Sequence, residues 1–313
     1  MKTSRQNPKG NTQSGKTQKL RSALTMCALL ALIVLSSNVA KAALVDLGTA
    51  GQYAVLEIGT GDLNISVNAG GLPNGIIGNV GLNGSGDLKL TGTTYVQGNV
   101  TVAQNVSQVV LSGSAYVTGS TIVNQAALTQ ARTDALAAAA QATFLGTQPG
   151  AINTYAASGI TSGLHLTTPG VYNLSDLNLS GSEKLILGGG SYVFNISGDF
   201  KINGNSSKAG VFLDAGMSPS DVIFNYTGTS DIAFAGGGAG ENSILYGVIL
   251  SPNAKVALAP GTVFGEIIGG KNIDIVSGSD VVSVVPEPGT FVAGALLLMP
   301  FGVSAWRIIR RRS

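Results

Sequence analysis

An all-β body built as a β-solenoid, with one long α-helix packed along it and a single C-terminal transmembrane helix, is the fold class this sequence predicts. Three observations lead there. First, short apolar runs alternate with polar residues and are punctuated by Gly or Asn-Gly: "LKL" (88–90), "SYVFNI" (191–196), "DVIFNYT" (221–227), "KVALA" (255–259) and "NIDIV" (272–276). Alternation bounded by turn residues marks half-buried strands. Second, "LKLTGTTYVQGNVTV" (88–102) aligns without gaps on "VVLSGSAYVTGSTIV" (109–123) at an offset of 21 residues, about the length of one solenoid coil. Third, residues 124–145 are alanine-rich with neither Gly nor Pro, and residues 290–306 form a predominantly apolar span.

Residues 1–42 read as an export signal. They carry seven basic side chains and no acid. The apolar run Ala28–Leu35 is too short to span a bilayer comfortably. Ala40 and Ala42 stand in the A-x-A arrangement of a cleavage site, which places cleavage after Ala42; an uncleaved anchor is the alternative. Cys27 is the one cysteine of the chain and lies inside this segment, after Met26, where a lipoprotein signal needs a small residue. The mature chain therefore relies on neither disulfides nor thiolate chemistry.

The body, 43–285, holds seven basic and fifteen acidic residues, a net charge of −8. The overall balance of +2 belongs to the two ends, so the basic-patch argument for nucleic acid does not apply. About 240 residues suffice for a substantial core. In the repeat, Leu90 matches Leu111, Gly92 matches Gly113, Tyr95 matches Tyr116, Val96 matches Val117 and Gly98 matches Gly119. Successive coils stack at about 4.8 Å, inward Val, Leu and Ile form the core, and glycines take the corners. A β-sandwich is the competing arrangement. In the helix 124–145, Asn124 is the expected N-cap and Gly146 the expected stop. Leu128, Ala131, Ala135, Ala138, Ala142 and Leu145 fall on one stripe. Its length is about 33 Å, and its small side chains suit close approach to a flat flank.

Catalytic chemistry is hard to assemble from this body. It has one histidine, His165, and one arginine, Arg132. Arg132 is expected on a solvated helix face and His165 in a structural setting before a Pro-Gly turn. No serine has a nucleophile-elbow context, and no His or Cys pair has metal spacing. Asp274 and Asp280 lack the ligand density of a calcium loop. The glycine-rich stretches 187–191 and 235–240 are not followed by the lysine of a phosphate cradle. No catalytic residue, metal or cofactor is assigned, and a polysaccharide-active enzyme is a minor alternative.

One motif bears on binding. Thr91-Gly92-Thr93, Ser112-Gly113-Ser114, Ser180-Gly181-Ser182 and Thr227-Gly228-Thr229 share the pattern [TS]-G-[TS]. Thr91, Thr93, Ser112 and Ser114 lie one coil apart, so their hydroxyls are expected to stack as a ligand-facing or ice-facing array. Glycine between two hydroxyls fits a polar turn equally. Tyr95, Tyr116, Tyr172 and Tyr192 are candidates for polysaccharide contact, or for ordinary strand packing.

The end of the chain has a logic of its own. Pro286 and Pro288 deny helix to Glu287 and hold it extended. Thr290–Trp306 is 17 residues, about 25 Å as helix, slightly short of a hydrocarbon core. Trp306 suits the interface and Arg307 snorkels to it, while Arg310, Arg311 and Arg312 stay on the cytoplasmic side. A permanent anchor on a stiff stalk is the plainer reading. In order, "VPEPGT" (285–290), the apolar span and the basic end resemble the PEP-CTERM sorting signal. That resemblance implies recognition by an exosortase, a membrane-embedded cysteine transpeptidase, which cuts at or near Pro286–Pro288.

The body resembles the bacterial ice-binding-like β-solenoid domains and the related choice-of-anchor adhesins. The residues that carry the likeness are "LGTAGQYAVL" (47–56), the segment 124–145, "PGVYNL" (169–174), "SYVFNISGDFKI" (191–202) and "ILYGVILSPNAKVALAPGTVFGEIIGG" (244–270). The resemblance implies a right-handed β-helix with a helix along it. The expectation is a Gram-negative exported protein, held transiently in the inner membrane and sorted to the cell surface. Its expected role is structural or adhesive, in exopolysaccharide or biofilm. Ice binding is the alternative. The expected partners are an exosortase and either exopolysaccharide or ice.

Overall fold

Strands form where apolar residues alternate, and most end at a turn residue, whether Gly, Asn, Ser, Asp, Thr or Pro. The computed structural model describes residues 44–67, 75–204, 208–236, 243–276 and 278–283. The first stack of coils contains Tyr53–Glu57 (β1), Leu63–Val67 (β2) and Gly75–Ile77 (β3); Asn79–Leu82 (β4), Asp87–Gly92 (β5) and Tyr95–Gln97 (β6); Val100–Val102 (β7), Gln108–Leu111 (β8) and Tyr116–Val117 (β9); and Thr121–Val123 (β10). The helix α1, Gln125–Gly146, follows. The second stack contains Leu164–Leu166 (β11); Gly170–Leu174 (β12), Leu177–Gly181 (β13) and Lys184–Leu187 (β14); Tyr192–Ile196 (β15), Phe200–Gly204 (β16) and Ala209–Leu213 (β17); Val222–Tyr226 (β18) and Ile232–Gly236 (β19); Ser243–Ser251 (β20), Val256–Ala259 (β21), Thr262–Gly269 (β22), Ile273–Val276 (β23) and Asp280–Val282 (β24).

Every strand pair among the described residues is parallel. That removes the sandwich, whose hairpins require antiparallel neighbours. The strands make three faces. The first runs β12-β15-β18-β20-β22-β1-β4-β7-β10, the second β13-β16-β19-β21-β23-β2-β5-β8, and the third β11-β14-β17-β20-β22-β24-β3-β6-β9. β20 and β22 each bend from the third face to the first. Gly247 and Gly265 stack at that bend, at φ of 150° and 142°, and the Gly247 carbonyl fills the space a Cβ on Gly265 would need.

Order in space departs from order in the chain. The last coil docks on the first, with Val55 opposite Ile267, Ile65 opposite Ile275 and Ile76 opposite Val281. From this seam the first stack runs outward to β10. α1 then carries the chain back across the first face, and the second stack winds inward from the far end to the seam. The nine strands of the first face span about 38 Å, so a helix of about 33 Å and a short connector complete the return.

The interior is filled by inward positions such as Leu63, Ile65, Leu88, Leu90, Ile202 and Ile275. In the second stack it becomes aromatic: the rings of Tyr192 and Phe194 stack at 5.8 Å and those of Phe194 and Phe224 at 5.2 Å. A second apolar layer lies between the first face (Leu56, Val193, Ile223, Leu250, Ile268) and the stripe Leu128, Ala131, Ala135, Ala138 and Ala142 of α1.

Polar contacts fix the helix in place. Asn124 caps it as expected, its side chain accepting from Ala127 N at 3.1 Å. Gly146 belongs to the last turn, and Thr147 is the C-cap. Arg132 is exposed, yet it does not simply face solvent: its Nε donates to Ile58 O at 2.8 Å. Asp134 accepts from Thr49 N at 2.8 Å and Thr49 Oγ1 at 2.6 Å, and these bonds hold its carboxyl below the usual range. Asn173, Asn195 and Asn225 stack in register on β12, β15 and β18. Their amides donate to Gly146 O, Ala142 O and Thr143 Oγ1, and Asn225 also donates to Asn195 Oδ1 at 2.7 Å.

The expected membrane span, 290–306, lies outside the described residues. Among those described, no helix is long and apolar enough to cross a membrane.

Candidate functional site

Among the described residues α1 covers the first face, and no long helix covers the second or third. On the third face Ile186, Phe212, Tyr246, Phe264, Val282 and Ile77 line up as an outward column, each half-buried. The rings of Phe212 and Tyr246 lie 6.2 Å apart, and those of Tyr246 and Phe264 stack at 4.6 Å. A groove of about 320 Å³ runs beside them, lined by Phe212, Asp214, Met217, Pro219 and Tyr246. His165 sits at its rim, its Nε2 2.8 Å from Asp214 Oδ2. The stacked rings of Tyr246 and Phe264 cover one another and turn their edges outward, which suits packing better than reception of a flat sugar ring.

The second face is an eight-stranded parallel sheet with two outward columns. One reads Asn178, Lys201, Ala233, Ala257, Asp274, Asn64, Lys89 and Val110. Its charges are paired along the surface: Lys201 with Asp199 at 2.8 Å, Asp274 with Lys255 at 2.6 Å, and Lys89 with Asp87 at 2.9 Å. These acids raise the three lysines above their ordinary range. The other column reads Ser180, Asn203, Ala235, Ala259, Val276, Ser66, Thr91 and Ser112. It is uncharged and, apart from Asn203, built of small side chains, one per coil at about 4.8 Å.

Two of the four residues expected to form a ligand face therefore lie on this column, Thr91 and Ser112. Thr93 and Ser114 follow Gly92 and Gly113, whose φ of 71° and 72° turns the chain toward the third face. Thr93 Oγ1 donates to Val67 O at 3.1 Å and Ser114 N to Gly92 O at 2.8 Å. The motif thus divides its hydroxyls between a flat strand and a corner. Thr227 lies after β18, and its Oγ1 donates to Ile196 O at 3.1 Å. Ser180, from another copy of the motif, also lies on the column, whereas no motif in the sequence marked Ser66, Asn203, Ala235, Ala259 or Val276. Alanines and a valine carry no chemical signal there, and the coils that align them are not consecutive. Of the four tyrosines, Tyr95 and Tyr116 meet on the third face at 4.8 Å. Tyr172 and Tyr192 belong to the core, which bears out strand packing over sugar contact there. The Tyr192 hydroxyl donates to Leu166 O and Gly188 O, and burial pushes it up to about 12.

Two carboxylates are buried near α1 on the first face. Glu57 accepts from Gly59 N at 2.8 Å, Gly61 N at 3.0 Å and Gly84 N at 3.3 Å. Burial outweighs these donors and Arg132 and raises it to about 7. Glu266 is 3% exposed and its Oε2 has no hydrogen-bond partner; burial raises it well above the ordinary range. Among the described residues no three His, Cys, Asp or Glu side chains gather as a metal site. Ala40, Ala42, Pro286, Glu287, Pro288, Arg307, Arg310, Arg311 and Arg312 lie outside the described residues.

An all-parallel, three-faced solenoid with a returning helix and an open face that carries one column of mostly small, neutral side chains defines the class of this protein. It belongs to the ice-binding-like family, which it matches over residues 61–278. Solved structures of similar fold include an ice-binding protein from an Antarctic biological consortium, with 18% identity, 76% of this chain and 90% of that chain covered, and a TM-score of 0.51. A glycosylated ice-binding protein from an Arctic yeast matches with 16% identity, 78% and 96% coverage and a TM-score of 0.51. The ice-binding protein domain of Shewanella frigidimarina matches with 17% identity, 79% and 99% coverage and a TM-score of 0.50. At such identities the likeness is one of fold. No curated protein matches the chain. Between the two readings of the body, the family favours ice binding over the adhesive role.

Proposed function

We propose that the body binds ice through its second face. Membership of the ice-binding-like family carries this reading, and the neutral column of the second face gives it a location. Hydroxyls and methyls repeat there at one inter-strand spacing on a rigid parallel sheet, near the repeat of water oxygens in ice. Small side chains keep the surface flat, and the in-plane ion pairs lay the lysines along it. The third face, with ring edges outward, is a poor glycan platform, so ice is preferred to exopolysaccharide as the ligand. The test is inhibition of ice recrystallisation. Ala235→Lys with Ala259→Lys, in the middle of the column, is expected to reduce activity at least tenfold at unchanged thermal stability. Inactive wild-type protein, or a fully active variant, would sink the reading.

Delivery belongs to the same proposal. The chain is exported across the inner membrane of a Gram-negative cell and cleaved after Ala42. It is then held by 290–306 and Arg310–Arg312 until an exosortase processes it at Pro286–Pro288, which leaves the body at the surface. Mass spectrometry of the mature protein is expected to find a C-terminus at or near Pro286–Pro288. An intact tail ending at Ser313 would contradict the sorting step.

A further inference from the structure

The two ends of the solenoid are finished differently. Past β12 and β13, residues 151–163 fold over the terminal coil. Ile152 N donates to Val171 O at 2.7 Å, Ile160 N donates to Asp176 O at 2.8 Å, and Tyr155 stacks on Tyr172 at 6.5 Å. The opposite end has no such cover among the described residues. The second face stops at β8, the third at β9 and the first at β10, so three strand edges look outward together. On that coil Val109, Leu111, Tyr116, Ile122 and Val123 are 41, 48, 51, 44 and 67% exposed. Leu88, Leu90 and Val102, which Val109, Leu111 and Val123 pair with one coil inward, are buried. Among the described residues, the end presents core-type side chains with nothing stacked on them.

Open strand edges are ordinarily guarded by charge, proline or a bulge. Here neither a charged residue nor a proline occurs between Lys89 and Arg132. We infer that this end is an interface between two copies of the chain, related by a twofold axis, with the β8 edges meeting antiparallel. Charge favours the place: bodies of net charge −8 repel broadside, and this uncharged end lets identical surfaces meet. Closure selects the number, because the capped far end prevents head-to-tail growth and a self-complementary contact closes at two. Area sets the strength. A three-sided coil with sides of about 23 Å has a cross-section of roughly 230 Å² per copy, below the standard size of a specific interface, so the contact is a weak one. The chain's own N-terminal side enters elsewhere: Leu44 O accepts from Gln141 Nε2 at 3.4 Å, about 24 Å along α1 from its start at the open end. Joining the β8 edges would extend the second face from one copy into the other, a consequence independent of the ligand that face binds.

Sedimentation of the full chain in density-matched detergent, from about 1 to 100 µM, tests the inference. A weak monomer–dimer equilibrium, with dimer populated toward the upper end of this range, is expected. Leu111→Lys with Val123→Lys should weaken association at least tenfold, whereas Ser182→Lys near the capped end should not. Monomeric wild-type protein at the highest concentration, or a double variant that associates as wild type does (through residues 284–313, for example), overturns the inference. Should the double variant fail to fold, amide exchange of wild-type β8 decides. Greater protection at high concentration supports the interface, and equal protection overturns it.

Discussion

Glu57 and Glu266 are the residues at which this fold works against itself. Both sit where α1 closes over the first face, and burial favours their neutral forms. The sign of the linkage follows. Below pH 4.5, the ordinary value for Glu57, its carboxyl is protonated in folded and unfolded chains alike. As pH rises the unfolded chain ionises first, while folded Glu57 holds its proton until about 7. Stability therefore falls across that window and stays lower above it, by about 3 kcal/mol for this residue; Glu266 acts in the same direction. Glu57→Gln keeps an acceptor for Gly59 and Gly61 and removes the titration. Urea unfolding at either side of the window should show a smaller loss in the variant than in wild type, and an identical loss would refute the assignment.

At the scale of elements, α1 is held by a small-residue stripe and by the asparagine ladder at its C-terminal half. Each ladder asparagine stands between two apolar residues on a strand, in "YNL", "FNI" and "FNY" (172–174, 194–196, 224–226). By alternation alone such a position reads as solvated. Docking of the helix makes it interior instead, and the amides then satisfy carbonyls of the last turns. Asn225 is 1% exposed. Asn225→Ala removes the donor to Asn195 Oδ1 and to Thr143 Oγ1, a cost of about 2 kcal/mol. Amide exchange should accelerate at Ala142–Gly146 more than at Ala127–Ala131. Uniform acceleration would show that the ladder does not act locally. The helix itself was legible: the absence of Gly and Pro, the Asn124 cap and the alanine stripe each found their place. The anchoring of Arg132 to Ile58 was not legible, since its partner lies 74 residues away.

At the scale of the whole molecule, the seam sets this solenoid apart from a simple stack. Ordinary repeat arrays are coupled only to their neighbours and fray from their ends. Here the first and last coils meet mid-length, and α1 lies against both stacks, with Leu128 and Ala142 in one apolar layer with Leu56 and Val193. Val55, fully buried and opposite Ile267, sits at the seam. Val55→Ala should cost about 2 kcal/mol and lower exchange protection at Leu88 and Leu179 together. Protection lost at Leu88 alone would mean that the two stacks unfold independently.

By itself the sequence determined the local structure: β-strands of period two, the 21-residue offset of the two coils over 88–123, the position and cap of α1, and a resemblance that named the family. These follow from interactions between near neighbours, where alternation, glycine punctuation and alanine content act directly. Tertiary structure alone decided the order of the coils, the burial of Asn195, Asn225, Glu57 and Glu266, and which side chains share a face. Ser66 and Thr91 are neighbours through the stack, and Val276 joins them only because the last coil docks on the first. That contact spans more than 200 residues of chain, and no periodicity within the sequence encodes it.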